Sequence, residues 1–266
     1  MGVVNVTPDS FSDGGLFLDA DMAVEHGRRL VAEGALIVDV GGESTRPGAE
    51  PVPEEEELGR ALPVVARLAA EGARVSIDTA KVGVARAALD AGAEIVNDVT
   101  AFRGSPEMAG LVAERGAGCV LMHMLGEPRT MQRDPRYDDV VSDVRAFLEE
   151  RLAFAVGEGV AEERVWLDPG IGFGKTVEHN LELIRRLGEI AEIGRPVVVG
   201  TSRKSFLGKL TGRPEHERMA GTVATNVMAF ERGASVFRVH DVAEVRDALT
   251  LAAATVATAR SEAPAG

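Results

Sequence analysis

The sequence predicts an α/β chain folded as a single-domain (β/α)8 TIM barrel. Three observations carry that expectation. Eight short β-rich runs recur along 266 residues. Segments of good helix formers at helical spacing separate them, which implies βαβ units. The runs are continuously apolar rather than alternating, the pattern of strands buried on both faces of a parallel sheet. A doubly wound open sheet is the alternative for such an alternation. Eight units in about 260 residues match the barrel.

In order, the expected strands are Gly2–Val6, Ala35–Val40, Val75–Ile77, Glu94–Val96, Gly118–Met122, Val165–Leu167, Val197–Val199 and Val236–Val239. The expected helices between and after them are Asp21–Glu33, Pro53–Ala70, Lys81–Ala91, Pro106–Glu114, Val140–Val156, Val177–Ile190, His216–Glu231 and Val242–Ala259. Glycines just past six helices (Gly34, Gly72, Gly92, Gly116, Gly194 and Gly233) fit C-caps. A phrase x-Gly-Ala recurs at five of these ends and reads as one helix-to-strand turn used repeatedly.

Composition narrows the function classes. Hydrophobic residues make up 45% and charged residues 27%, normal for a globular chain. Cys119 is the only cysteine, so no disulfide can form within the chain. It lies in the apolar run Cys119–Met122 and reads as a reduced core residue. No run is long and apolar enough for a membrane span, and no basic apolar leader opens the chain, so a cytoplasmic protein is expected. The net charge of −13 argues against nucleic acid and anionic membranes as partners. If the substrate is an anion, its site must be a local cluster of cations set against the overall field.

In a barrel, chemistry sits at the C-terminal ends of the strands. Nearly every expected strand here ends in polar residues of low strand propensity. They are Asn5 with Thr7–Gly15, Asp39 with Gly41–Gly48, Asp78-Thr79, Asn97-Asp98, His123, Asp168-Pro169-Gly170, Thr201–Ser205, and Arg238 with His240-Asp241. A single Asp or Asn in such a place reads first as a helix N-cap. Lys204, Arg46, Arg238 and His240 are not N-cap types, and they supply the cation cluster that the net charge demands.

Gly170–Thr176 looks like a phosphate-binding loop after a strand, but Pro169 stands where the first glycine is required, so the Walker spacing fails. A mobile glycine-rich loop beside a ligand, with Asp168 as the working residue, is expected instead. There is no HExxH, no Cys/His cluster and no Gly-x-Ser-x-Gly elbow, which removes the commonest zinc and serine-hydrolase readings. His26, His179 and His216 fall in or at helical segments and read as surface residues.

The segments Asn5–Gly15 and Gly41–Gly48 resemble the two signature segments of the dihydropteroate synthases. Ser76–Thr79, Asn97-Asp98, Met122–Met124, Asp168–Lys175, Ser202–Ser205 and Arg238–Asp241 match that family in order. The resemblance covers essentially the whole chain, read as one pterin-binding barrel over 1–266 with a flexible tail at 261–266. The chain starts almost at the first strand, whereas the family carries a short N-terminal extension.

The resemblance implies condensation of a dihydropterin bearing a CH2–diphosphate with p-aminobenzoate, giving dihydropteroate and pyrophosphate. It implies catalytic roles for Asp78, Lys204, Arg238 and Asp13. The pterin would meet Asp78, Asn97, Met122, Asp168, Phe173 and Lys204. The diphosphate would meet Asn5, Arg46, Arg238 and His240. The p-aminobenzoate pocket would hold Phe11, Thr45, Arg46, Pro47 and Ser205. Mg2+ is the implied cofactor, with Asn5 as its protein ligand. A homodimer is expected, with the Ala-rich C-terminal helices offering a face. Two other functions stay open at this level. Folate-dependent methyltransferases acting on a corrinoid protein resemble this barrel but are not expected to carry the Thr45–Pro47 and Ser202–Ser205 segments. A catalytically silent pterin-binding module is the other.

Overall fold

The computed structural model describes residues 1–7, 16–46 and 48–261. Eight parallel strands lie in sequence order: β1 (Gly2–Asn5), β2 (Val38–Gly41), β3 (Val75–Asp78), β4 (Ile95–Asp98), β5 (Gly118–Met122), β6 (Val165–Asp168), β7 (Val197–Val199) and β8 (Ala234–Phe237). The ring closes beyond β8. Val3 donates its N–H to the Val239 carbonyl at 3.0 Å, Val239 donates to the Met1 carbonyl at 3.0 Å, and Gly2 pairs with Val239 in parallel. The sheet is therefore a closed barrel rather than a doubly wound open sheet.

Around it run α1 (Leu16–Ala32), α2 (Glu54–Ala70), α3 (Val82–Asp90), α4 (Glu107–Arg115), α5 (Val140–Gly157), α6 (Val177–Arg185), α7 (Leu187–Ala191), α8 (Ser205–Thr211), α9 (Met219–Glu231) and α10 (Val242–Ser261). The repeated x-Gly-Ala turn is real. The glycine takes positive φ, and the next N–H reaches back five residues, from Ala35 to Leu30, Ala73 to Leu68, Ala93 to Ala88 and Ala117 to Val112. Six-to-one bonds of this kind end a helix sharply and release the chain into the next strand. They also explain why β2 starts at Val38: Ala35 still belongs to the cap of α1.

Two expected helices differ and one helix is additional. The segment 177–190 is two helices, because Arg186 leaves helical geometry (φ −106°, ψ 22°). From there its guanidinium reaches Asp139 at 2.6 Å and Glu189 at 2.7 Å. The segment from His216 opens as a 3-10 turn, Glu215–Glu217, and α9 starts only at Met219. The short α8 was not expected at all.

Period-two alternation divides the barrel interior into layers. The lower layer is largely apolar, with Ile37, Ile95, Val120, Val198, Trp166 and Val236 clustered together. Two residues further along β4, β5 and β6 stand Asn97, Met122 and Asp168, and the same step from Val236 and Ile37 reaches Arg238 and Asp39. The strand tips thus convert an apolar plug into a polar, charged mouth in one residue pair. A second core, between sheet and helices, is filled by Val, Leu, Ile and Ala. Among the described residues, no helix is long and apolar enough to cross a membrane.

Candidate active site

Arg238 follows directly on β8 and crosses the mouth to two other strands. Its Nε donates to Asp39 Oδ2 at 2.6 Å, and its Nη2 donates to Asp78 Oδ2 at 2.7 Å. Asn97 Nδ2 donates to the same Asp39 oxygen at 3.0 Å. Tips of β2, β3, β4 and β8 are thereby tied into one network. Asp39 is completely buried. Burial pushes the Asp78 carboxyl up to about 7, against the pull of Arg238 and with the push of Asp39. Burial also works against the Arg238 charge, but Asp39 and Asp78 outweigh it and hold the guanidinium protonated. Asp39 is the residue that sequence reasoning missed. It was visible as a strand tip, but nothing local to it announces a partner at position 238.

Across the mouth, Asp168 ends β6. Its Oδ1 accepts the Gly170 N–H at 2.7 Å. Burial raises its pKa, while that N–H and the charges of Lys204, Arg238 and Lys175 oppose the rise. Lys204 precedes α8. Its ammonium sits 4.0 Å from the centroid of the Phe173 ring, and its stem packs on Gly172, where a Cβ would stand only 3.1 Å from Lys204 Cδ. Burial, then Arg238, lowers Lys204 to about 8, against Asp168 and Asp78. Asp168, Lys204, Arg238 and Asp78 therefore lie in one another's field.

The apolar side of the mouth is also assembled. Met122 and Phe173 share a cluster with Val99, Met124 and Met131. Three side chains tie the glycine-rich loop that carries Phe173 to its neighbours. Gln132 Nε2 donates to the Gly172 carbonyl at 2.6 Å, Tyr137 donates to that of Gly174 at 2.7 Å, and Asn180 Oδ1 accepts the Gly172 N–H at 2.7 Å. Gly170 is obligatory, because it has φ +67° and a Cβ there would lie 1.9 Å from the His123 carbonyl oxygen. Thr176 then caps α6 in a reciprocal box with His179, so that histidine has a structural use that its helical position did not reveal. Asp98 also looks inward to structure: it accepts the N–H of Thr100 at 2.7 Å and that of Phe102 at 2.9 Å.

On the β8–β1 side, Asn5, Arg46, Arg203, Glu215 and His240 line a cleft of about 550 Å3. His240 Nδ1 lies 3.0 Å from the Ser202 hydroxyl, and that oxygen accepts the His240 backbone N–H at 3.2 Å. Burial, then the Arg238 and Arg203 charges, holds its ring down at about 3, so it is a neutral imidazole. Arg46 is exposed and reaches Glu215 at 3.2 Å. Arg203, a non-glycine residue at φ +58°, is clamped to Asp241. Thr45 is half-buried and Ser205 is exposed beside Lys204. The expected Phe11, Asp13 and Pro47 lie outside the described residues.

Among the described residues, no group of three or more His, Cys, Asp or Glu could hold a metal by itself. Asn5 offers a neutral amide oxygen at the tip of β1, half-buried in the cleft shared with His240. That suits a hard cation that takes its remaining oxygens from phosphate and water.

The sequence profile of the family described as pterin binding enzyme matches residues 1–240. The dihydropteroate synthase of Mycobacterium leprae is 49% identical over 262 residues, covering 96% of this chain and 92% of that protein. The chain belongs to the dihydropteroate synthase family of pterin-binding enzymes. A solved dihydropteroate synthase of Xanthomonas albilineans with 4-aminobenzoic acid superimposes with a TM-score of 0.91 at 50% identity, over 97% of this chain and 92% of the other. A Haloferax volcanii protein named as a probable bifunctional folylpolyglutamate synthase/dihydropteroate synthase is 47% identical over all of this chain, which spans 31% of that longer protein. The carboxylate, the lysine and the arginine that the resemblance named stand at the barrel mouth within reach of one another's charge.

Proposed function

We propose that this chain condenses 6-hydroxymethyl-7,8-dihydropterin diphosphate with p-aminobenzoate, releasing pyrophosphate and forming 7,8-dihydropteroate. The observation that carries the reading is the shared field of Asp168, Lys204 and Arg238 in a single barrel mouth. The reaction breaks the bond between the pterin CH2 and the bridging diphosphate oxygen, and that oxygen keeps the electron pair. The amine nitrogen supplies the pair for the new C–N bond and afterwards releases a proton. The protein must therefore hold the pterin, stabilise positive charge developing at the CH2 and negative charge on the leaving group, and admit the arylamine.

Asp168 accepts two parallel hydrogen bonds from the amino–imine edge of the pterin. Asn97, fixed by Asp39, and Lys204 address other ring edges, while Met122 and Phe173 pack against its faces. Asp78 lies beside the ring and, when ionised, favours the positive carbon. Arg238, the neutral His240 and Arg46 face the diphosphate. Bound Mg2+, with the Asn5 amide oxygen as its protein ligand, would neutralise charge on the departing diphosphate. Thr45, Arg46 and Ser205 border the p-aminobenzoate side, where Phe11, Asp13 and Pro47 belong by family match. Arg46 and Ser202–Ser205 are grouped about the mouth, which disfavours the corrinoid methyltransferase reading. The homodimer expected from the resemblance would cover Met228 and Leu251, exposed on the adjacent α9 and α10.

The test is direct. Purified protein given Mg2+ and both substrates releases pyrophosphate in step with dihydropteroate. Asp168→Asn turns one acceptor into a donor facing a donor, and pterin affinity falls on the order of 30- to 100-fold, as for loss of a charge-assisted pair. An unchanged pterin Kd in that variant refutes the role of Asp168. Ligand binding without turnover in the wild type favours the silent module.

A further inference from the structure

Lys175 closes the glycine-rich loop and takes no part in the chemistry above. It is 3% exposed. Its Nζ donates to the Phe173 carbonyl at 3.0 Å and lies 2.9 Å from His123 Nδ1. His123 is itself buried, with its ring edge-on to Phe147 at 4.8 Å. Burial, then the Lys175 and Arg103 charges, holds that imidazole at about 2. His123 therefore accepts the lysine proton at Nδ1 and offers no compensating charge. The carboxylate whose field reaches Lys175 is Asp168. Enclosing an ammonium between two neutral acceptors is costly, and an apolar side chain of similar length avoids the cost. The charge at this place calls for a use.

We propose that Lys175 is a positioning residue for the pterin-binding wall: from behind the wall it fixes Phe173 and the Gly170–Gly174 loop against His123, and it gives Asp168 a counter-charge that substrate cannot displace. This rests on the pterin reading above. Asp168 has two other cations in its field, Lys204 from the start of α8 and Arg238 from the end of β8, besides the Gly170 N–H. On the pterin reading both turn to the substrate, Arg238 to the diphosphate and Lys204 to the ring. Lys175 is buried, bonded to the Phe173 carbonyl and His123, and acts on Asp168 through its charge. The same carbonyl contact sets the Phe173 ring under the Lys204 ammonium, so one buried lysine orders both the carboxylate and the apolar wall.

Burial lowers Lys175 to about 7, against Asp168 and with the push of Lys204, so its charge is present below neutrality and fades above it. The experiment is the Kd of 6-hydroxymethyl-7,8-dihydropterin diphosphate from pH 5 to 9 for the wild type, Lys175→Met and Lys175→Arg. In Lys175→Met the acid limb, where Asp168 takes up its proton, moves up by about one pH unit, and the KM for p-aminobenzoate stays within twofold. In Lys175→Arg the acid limb stays, and the alkaline limb retreats from near 7 to that of Lys204 near 8, because a guanidinium does not titrate there. A merely structural lysine weakens binding by the same factor at every pH. Limbs that superimpose on those of the wild type overturn the proposal. Should Lys175→Met not fold, the alkaline limb of Lys175→Arg decides, and an unmoved midpoint overturns it. A wild type that binds no pterin diphosphate at any pH overturns the pterin reading instead.

Discussion

Arg238 and Lys204 look equivalent as cations at strand tips, yet the structure gives them different foundations. Arg238 is bonded to two buried carboxylates, Asp39 and Asp78. Lys204 rests on a glycine and an aromatic face. Removing Arg238 leaves two buried acids without their cation, and breaking a buried pair from one side costs about 3–5 kcal/mol. Removing Lys204 forfeits a cation–π contact of about 1–2 kcal/mol. Both variants should lose on the order of 2 kcal/mol or more of transition-state stabilisation. Urea melts alongside kcat/KM separate the two effects: Arg238→Ala is crippled in stability and turnover, Lys204→Ala chiefly in turnover. Equal destabilisation would show that the Asp39–Arg238–Asp78 bridge carries no special weight. Which residues stand on the rim was legible from strand tips and motifs alone. That Arg238 is shared between Asp39 and Asp78 was not, because 199 and 160 positions separate the partners and charge pairing at such range leaves no periodic trace.

At the scale of elements, the loop after β2 is held by a clamp that no motif suggested. The Lys81 ammonium, just before α3, bonds Glu43 of that loop and, at 2.5 Å, Glu57 in the first turn of α2. Burial raises Glu57, with Lys81 opposing, and burial works against the Lys81 charge until the two glutamates outweigh it. Arg60 adds a bond to the Gly42 carbonyl at 3.0 Å. The clamp fixes the root of the segment bearing Thr45 and Arg46, and its side-chain bonds to Glu43, Glu57 and Gly42 include none to Asn97, Asp168 or Lys204. Lys81→Met should therefore raise the KM for p-aminobenzoate about tenfold, roughly 1.4 kcal/mol, while pterin Kd changes less than twofold. Steady-state and binding titrations on the same preparation check this, and a parallel loss of pterin affinity would contradict it. Strands and long helices were legible because apolar periodicity and repeated glycine caps mark them. The short α8 was not, since its seven residues, Ser205–Thr211, follow a polar strand tip and give periodicity too little length to register. Nor could sequence show what holds the glycine-rich loop: its partners Gln132, Tyr137 and Asn180 come from the segment before α5 and from α6.

For the molecule as a whole, the buried ionisable groups pull stability in opposite directions with pH. His123 and His240 stay neutral when folded, with pKa values of about 2 and about 3, whereas an unfolded histidine takes up its proton near 6.5. Below pH 6.5 the unfolded chain binds protons that the folded chain refuses, so each histidine lowers stability as pH falls. Asp78 has the opposite sign. Its folded pKa is about 7 against an ordinary value of 3.8. Between these values the folded state holds the extra proton, so stability gained at low pH is lost as pH rises through 7. From pH 8 to pH 5 each histidine removes about 2 kcal/mol, and Asp78 returns about 3 kcal/mol, at roughly 1.4 kcal/mol per pH unit. Asp78 thus offsets part of what the two histidines remove in mild acid. The opposite signs also make single variants diverge. His123→Gln should cost about 2 kcal/mol less at pH 5 than at pH 8, whereas Asp78→Asn should cost about 3 kcal/mol more at pH 5 than at pH 8. Urea denaturation of both variants and the wild type at the two pH values reads these differences. Penalties that move the same way for both would show that the neutral imidazoles and the protonated Asp78 are not what balances this barrel.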